Sequence, residues 1–385
     1  MNIELVGRFF DNHSLSIINR NIATRLNMIE GIEVAITTLD EYDPVHKLDK
    51  NVVKKLKALQ KNEPDKIDVQ IRHSYPPVWT WPKDKDTKVI YIQPWEFAKV
   101  PFEWQYKFET FADALIVPST TEAEVFKMGG LDPDKLFVVP NGYDEKIFNN
   151  ESCEPHPAVN DKKFNYIYVG NPQWRKGLDL VINAWGKCFK KFDNAHLIIK
   201  DSPRIYGYNN VLSEITKIQY KTGCASITYL DDDMSDVEIA SLYKSCDVVV
   251  HPYRAEGFGM HVQESIACGC LPILPDKGPT NDFVPAEVGI KIGTTPQAID
   301  ITENQVFATK PGDAMSLMST HRFVNEPDRQ GLENGIKYVY HHHDKKELYK
   351  NLSDAKLNTW DEVSLKYSEV ILNVGKRSEI NRYRN

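Results

Sequence analysis

Short apolar runs alternate with helix-period stretches along this chain, and the scheme occurs twice. In the first half the strand candidates are Asn2–Val6, Ile32–Leu39, Ile67–Ile71, Lys88–Ile92, Ala114–Val117 and Leu136–Val139. Helical patterns near Ser14–Leu26, Lys50–Lys61, Glu103–Phe111 and Thr120–Met128 lie between them. Such alternation implies a parallel sheet with helices on both faces. The second half repeats it, with strands at Asn165–Val169, His196–Ile199, Ser226–Leu230, Asp247–Val250 and Leu271–Leu274. Residues 149–158 carry Pro155 and Pro157 and little periodicity, so they read as a linker. The expectation is an α/β chain with one parallel-sheet domain over 1–155 and a second over 156–358.

The clearest helix follows the first strand of the second half. Leu178, Val181, Ile182, Trp185, Phe189 and Phe192 fall at helical spacing, with Lys187, Lys190 and Lys191 off that stripe. Residues 294–330 are interrupted by Pro296, Pro311 and Pro327 and read as short helical pieces. Trp360–Arg377 reads as a closing helix with Val363, Tyr367, Val370, Ile371 and Val374 on one side.

A chain of 385 residues favours two domains over one. Hydrophobic content of 41% and charged content of 26% are ordinary for a globular protein in water. No apolar run approaches bilayer length, and Met1–Val6 leads straight into a strand, so neither a membrane span nor a signal peptide is expected. A formal charge of −7 argues against a general nucleic-acid binder. The six cysteines form no Cys-x-x-Cys pair and read as small apolar residues of a reducing cytoplasm, Cys268 and Cys270 included. His341, His342 and His343 are consecutive, so on a helix they point in different directions and do not suggest a metal site.

The most informative motif is His251-Pro-Tyr-Arg-Ala-Glu256-Gly-Phe-Gly-Met260-His-Val-Gln-Glu264. It runs from an apolar strand, through a glycine turn, into a helix. Free N–H groups at a helix start seat phosphate. Glu256 precedes that seat. Glu264 follows Gly259 by a helical rise of roughly 7–8 Å. The two carboxylates can thus reach hydroxyls on opposite sides of a bound diphosphate. A second motif, Gly170-Asn171-Pro-Gln-Trp-Arg175-Lys176-Gly177, sets two cations near a helix start, where the dipole disfavours them. That placement suggests an anion between them and the N–H groups.

The Glu-x7-Glu pattern around Gly257-Phe258-Gly259-Met260 resembles the donor signature of retaining glycosyltransferase family four, whose fold is GT-B: two Rossmann-like domains facing a central cleft. The resemblance implies that Glu256 contacts the transferred sugar and Glu264 the nucleotide ribose. Arg175-Lys176-Gly177 resembles the family's Arg-Lys-Gly motif, which assigns Lys176, and with it Arg175, to the diphosphate. Many relatives have Arg where this chain has Asn171. Val138-Val139-Pro140-Asn141-Gly142 resembles the segment closing the family's first domain, with Asn141 toward the donor. Pro279–Phe283 resembles the loop beyond the donor helix and carries no catalytic role. Lys200 and Asp231, at the carboxyl ends of their strands, are the nucleobase candidates.

On the acceptor side only Gly7 remains of the family's paired-glycine loop; His13 or Ser14 caps the following helix or contacts substrate, with Ser14 favoured as the cap. The polar residue near the reacting carbon is His73 or Glu96. Trp79, Trp81, Trp95 and Trp104 cluster in this region; their faces suit sugar rings, although most such residues are core. The resemblance further implies a closing segment, 359–385, that crosses back to the first domain. It implies no cofactor and no metal, with a nucleotide-diphosphate sugar as donor substrate. The expected partners are that nucleotide sugar and a hydroxyl acceptor (glycan, lipid or small molecule), with peripheral membrane contact if the acceptor is a lipid, and no nucleic acid. Two rival readings stay open: a non-catalytic sugar-nucleotide binding module, and another GT-B enzyme such as a sugar-nucleotide epimerase or a phosphorylase.

Overall fold

The computed structural model describes the chain except at positions 161, 208–209, 301–320, 344–347 and 377–385. It divides into two compact units. Met1–Trp95, Lys99–Gly142 and Asn358–Asn385 form one; Glu96–Ala98 and Tyr143–Leu357 form the other. The chain enters the second unit at Tyr143, ahead of the proline-bearing stretch 149–158. Phe148 is buried in the second unit's core, and His156 N–H donates to Ser245 Oγ at 2.8 Å, so that stretch is tied down there.

The first unit is built on a six-stranded parallel sheet, β1 (Asn2–Gly7), β2 (Glu33–Thr38), β3 (Val69–His73), β4 (Lys88–Ile92), β5 (Ala114–Val117) and β6 (Leu136–Val138), in the order β2-β1-β3-β4-β5-β6. The helices α1 (Ser14–Leu26), α2 (Lys50–Gln60), α3 (Phe102–Phe111) and α4 (Thr120–Met128) connect strands. Every residue of β4 and β5 is buried, as strands covered on both faces require. The cap of α1 is His13, not Ser14: His13 Nδ1 accepts the Leu15 N–H at 3.1 Å.

Trp95 and Trp104 lie inside this unit, ring centroids 5.0 Å apart, and Trp79 packs on Phe108 at 4.8 Å. Trp95 and Trp104 are core rather than a sugar platform, and Trp79 is half-buried. Only Trp81 is exposed, against Phe111. The last helix, Trp360–Gly375, belongs to this unit, with Arg25 Nε donating to Asp361 Oδ1 at 2.6 Å. It buries Val363, Tyr367, Val370, Ile371 and Val374.

The second unit repeats the design. Its parallel strands β7 (Phe164–Val169), β8 (Ala195–Lys200), β9 (Ser226–Leu230), β10 (Val248–Val250), β11 (Leu271–Pro275) and β12 (Ile290–Ile292) are ordered β12-β11-β10-β7-β8-β9. Around them stand α5 (Leu178–Cys188), α6 (Pro203–Tyr206), α7 (Val211–Thr222), α8 (Asp236–Lys244), α9 (Met260–Ala267) and α10 (Arg329–His342). Both units are therefore Rossmann-like parallel sheets, as expected.

Two expectations need correction. Helix α5 stops at Cys188, so Phe192 is not on its stripe and stands 93% exposed, while Phe189 still reaches the core. The stretch read as helical pieces holds an antiparallel pair instead, β13 (Thr294–Asp300) with β14 (His321–Pro327). A two-stranded ribbon has only edge strands, which tolerate Pro296 and Pro327. Pro311 lies outside the described residues.

All six cysteines are free thiols, and Cys224, Cys246, Cys268 and Cys270 are buried. The Nδ1–H groups of His342 and His343 donate to the carbonyls of Tyr338 and Tyr340. No helix among the described residues is long and apolar enough to cross a membrane.

Candidate functional site

Strands β7 and β10 are neighbours, so the loops leaving their carboxyl ends meet. The β7 loop ends in a 3₁₀ turn, Trp174–Lys176, closed by Gly177 at φ +77°. The β10 loop runs from His251 to Gly259, which starts α9 at φ +95°. Two backbone bonds join the loops: Arg254 and Ala255 N–H both donate to the Arg175 carbonyl, at 2.7 and 3.2 Å. Gly259 supplies no side-chain cap, so the first-turn amides of α9 are not closed off by their own cap residue.

This junction brings the predicted residues Lys176, Arg175, Glu256 and Glu96 together. Lys176 Nζ pairs directly with Glu256 Oε2. Arg175 lies 3.9 Å from the same oxygen, donates to the Ala255 carbonyl at 3.2 Å, and pairs with Glu96 at 2.8 Å. Glu256 Oε1 accepts its neighbour's Gly257 N–H at 3.1 Å, and His251 Nε2–H donates to Oε2 at 3.4 Å. Burial alone would raise the Glu256 carboxyl, but Lys176, the His251 hydrogen bond and Arg175 hold it well below the usual carboxylate range. Burial pulls the Lys176 ammonium down, opposed by Glu256. With a carboxylate held this firmly in its charged form, the pair is an ion pair.

Around this cluster the sequence left several residues unassigned. His251 is fully buried, and its ring stands 4.0 Å from that of His261. Burial lowers His251 to about 4 and His261 well below its ordinary value, so both are neutral. Arg254 is also buried. Its guanidinium donates to Asp179 (2.7 and 2.8 Å), the Trp174 carbonyl (2.6 Å) and Glu326, and lies 4.2 Å over the Trp174 ring. It thereby holds the turn that carries Arg175 and Lys176. Tyr253 Oη and Thr280 Oγ1 bond at 2.7 Å beneath the β10 loop. His251, Arg254 and His261 flank the glycine motif in sequence, but nothing local indicates which neighbours they meet.

The remaining candidates lie as follows. Gly257, Phe258, Gly259 and Met260 form the passage from Glu256 into α9; the Phe258 ring is buried 5.0 Å from Phe283. Glu264 is half-buried on α9, and among the described residues no partner holds its carboxyl. Burial, with Asp236 nearby, pushes that carboxyl well up. Asn171 is buried, and its Oδ1 accepts the Gln173 N–H at 3.2 Å, shaping the β7 loop. Lys200, at the end of β8, is buried and donates to the Asp201 carbonyl; Asp201 in turn accepts from Tyr229 Oη at 2.9 Å. Asp231 is exposed after β9. Among the described contacts, neither Lys200 nor Asp231 joins the Lys176–Glu256 cluster.

His73 and Asn141 belong to the first unit. His73 ends β3, fully buried, and donates Nδ1–H to Asn19 Oδ1 at 2.7 Å, with burial lowering it to about 3. Asn141 is buried before Gly142, where an added Cβ would lie 2.7 Å from the Trp360 backbone.

Residues 150–303, most of the second unit, match the family described as glycosyl transferases group 1. The D-inositol 3-phosphate glycosyltransferase of Mycobacterium tuberculosis is 27% identical over 203 residues, 49% of this chain and 40% of that protein. The chain spans less than half the length of the curated relatives it matches. A glycosyltransferase structure from Rickettsia africae shares the fold with TM-score 0.68 and 14% identity, over 98% of this chain and 99% of that one. Anabaena HepE, solved in complex with UDP and glucose, gives TM-score 0.61 and 14% identity over 97% and 100%. At that identity the likeness is one of fold. The family match lies over the second unit, and the glycosyltransferase structures share the two-unit GT-B fold over nearly the whole chain.

Proposed function

We propose that this chain is a retaining glycosyltransferase that moves a sugar from a nucleoside-diphosphate sugar to an acceptor hydroxyl. The observation that carries this reading is the largely buried Lys176–Glu256 pair, with Arg175 beside it, at the start of a helix without a side-chain cap. Breaking the sugar–phosphate bond leaves positive charge on the anomeric carbon and negative charge on the diphosphate. Lys176, Arg175 and the amides of residues 257–260 stabilise the departing diphosphate by fixed electrostatics. Glu256, held ionised, receives the sugar hydroxyls. Glu264, whose carboxyl no described partner holds, receives the ribose. Arg254, His251 and Asn171 keep this arrangement rigid.

HepE was solved with UDP and glucose, and a pneumococcal O-GlcNAc transferase of the same fold with UDP and GlcNAc, so uridine-diphosphate sugars head the donor panel. The test incubates the protein with UDP-, GDP- and ADP-sugars and an acceptor panel, and follows nucleoside diphosphate release and product by NMR. Acceptor-dependent release with a retained anomeric configuration is expected. An inverted product overturns the retaining assignment. Isomerised nucleotide sugar without transfer supports an epimerase. Binding with neither transfer nor hydrolysis supports the binding module.

A further inference from the structure

Among the described contacts, the charges of the cluster that should attract a diphosphate cancel. Two cations, Lys176 and Arg175, face two carboxylates, Glu256 and Glu96. A dianion arriving at a neutral cluster gains little Coulomb energy until one carboxylate withdraws. The two acids are not equally free to do so. Glu256 is bound through both oxygens, to Lys176 and His251 on one and to Gly257 N–H on the other, and its side chain is 8% exposed. Glu96 pairs with Arg175 at 2.8 Å and is 27% exposed, the more hydrated of the two. It sits on the three-residue segment Glu96–Ala98, part of the second unit, which is tied there by Ala98 N–H donating to the Phe323 carbonyl at 3.4 Å.

We propose that Glu96 is a built-in competitor for the donor: it occupies Arg175 in place of a phosphate, and the nucleoside diphosphate displaces it. The inference rests on the donor reading and assigns Glu96 to the phosphate side of the site rather than to the anomeric carbon. It has a consequence for selectivity. An entering anion must offer Arg175 at least the charge and the paired oxygens that Glu96 already offers. A diphosphate does so better than a monophosphate. It also has a consequence for turnover, because Glu96 returning to Arg175 helps expel the product nucleotide.

The test is calorimetric titration of UDP, GDP and ADP into the wild type, Glu96→Gln, Arg175→Ala and the double variant, with Glu96→Ala as a second removal of the charge. Removing the carboxylate should tighten diphosphate binding by about three- to tenfold, the scale of a partly exposed ion pair. In the Arg175→Ala background the same change should have no effect, because the contested group is gone. Binding also exchanges one ion pair for another only in the wild type, so its salt dependence should be shallower than that of Glu96→Gln. Unchanged or weaker binding by both Glu96 variants, with wild-type binding intact, overturns the competitor role and leaves the donor reading standing. If neither the wild type nor the variants bind any of the three nucleotides, the donor reading itself falls and this inference falls with it.

Discussion

Gly177 stands against the carbonyl of Pro252 so closely that a Cβ on it would lie 2.1 Å from that oxygen, at φ +77°. The contact joins the loop bearing Lys176 to the loop bearing Glu256. Gly177→Ala should therefore combine left-handed backbone strain with a backbone clash. Gly31, at φ +81° with nothing within 4 Å, isolates the strain alone. Urea melts should show a loss of about 1 kcal/mol for Gly31→Ala and at least about 2–3 kcal/mol for Gly177→Ala, with weakened donor binding only in the latter. Equal losses would show that the loops do not depend on this approach.

Lys176→Ala removes the cation nearest Glu256. Transfer should fall by roughly 10²–10³, the scale seen when one stabilising group of this kind is deleted. The circular dichroism spectrum should remain that of a folded α/β protein, because the sheets and cores are untouched. Wild-type turnover in this variant would remove Lys176 from the mechanism.

Glu264 couples stability to pH in a definite sense. Its folded value is pushed well up, so the folded state prefers the neutral carboxyl. The stability it contributes is complete below the unfolded value of about 4.3 and is lost as pH rises through the folded value. Glu264→Gln cannot ionise. It should melt above the wild type at pH 8 and converge with it in acid, while donor affinity falls several-fold, to about tenfold, for want of the carboxyl group on the ribose. A variant with unchanged melting at pH 8 and unchanged donor affinity would refute both halves.

The buried histidines act oppositely. His73, His196 and His251 are lowered by burial to about 3, 4 and 4. Below an unfolded value of about 6.5 the unfolded chain takes up protons that the folded chain refuses. Stability should fall from pH 6.5 toward pH 5, each histidine contributing up to about 1.4 kcal/mol per pH unit. His196→Gln should flatten the slope by up to one proton. A denaturation midpoint that stays level between pH 7 and pH 5 would contradict this.

Arg254 gives a second test of the loop junction. Lysine at this position keeps the charge but loses the fork that meets Asp179, Glu326 and the Trp174 carbonyl at once. Arg254→Lys should lower stability by roughly 2–4 kcal/mol and weaken donor binding through the displaced turn, as read by thermal melts and calorimetry. A variant with wild-type melting and wild-type affinity would make the network dispensable.

Local signals were sufficient for much of the fold. The alternation of strand and helix produced both parallel sheets, with Lys88–Ile92, Ala114–Val117 and Ser226–Leu230 matching their strands residue for residue. The reason is that a strand buried on both faces and an amphipathic helix each write their burial into neighbouring positions. The same signals failed at β13 and β14, where prolines on an edge ribbon mimic broken helix, and at Phe192, where helical spacing outran the helix. They also placed Arg175, Lys176 and Glu256 in loops after strands, each within its own motif.

Periodicity carries no information about strand order, however. Lys176 and Glu256 are 80 residues apart in the chain, and they touch because β7 and β10 are paired while β8 and β9 are set to the far side of β7. The capture of Arg254 by Asp179 is likewise a product of that crossover arrangement. Sequence by itself determined which elements form and which loops carry charge. Tertiary structure alone decided which charges face one another, because side-chain electrostatics act over a few ångströms of space, whatever the separation along the chain.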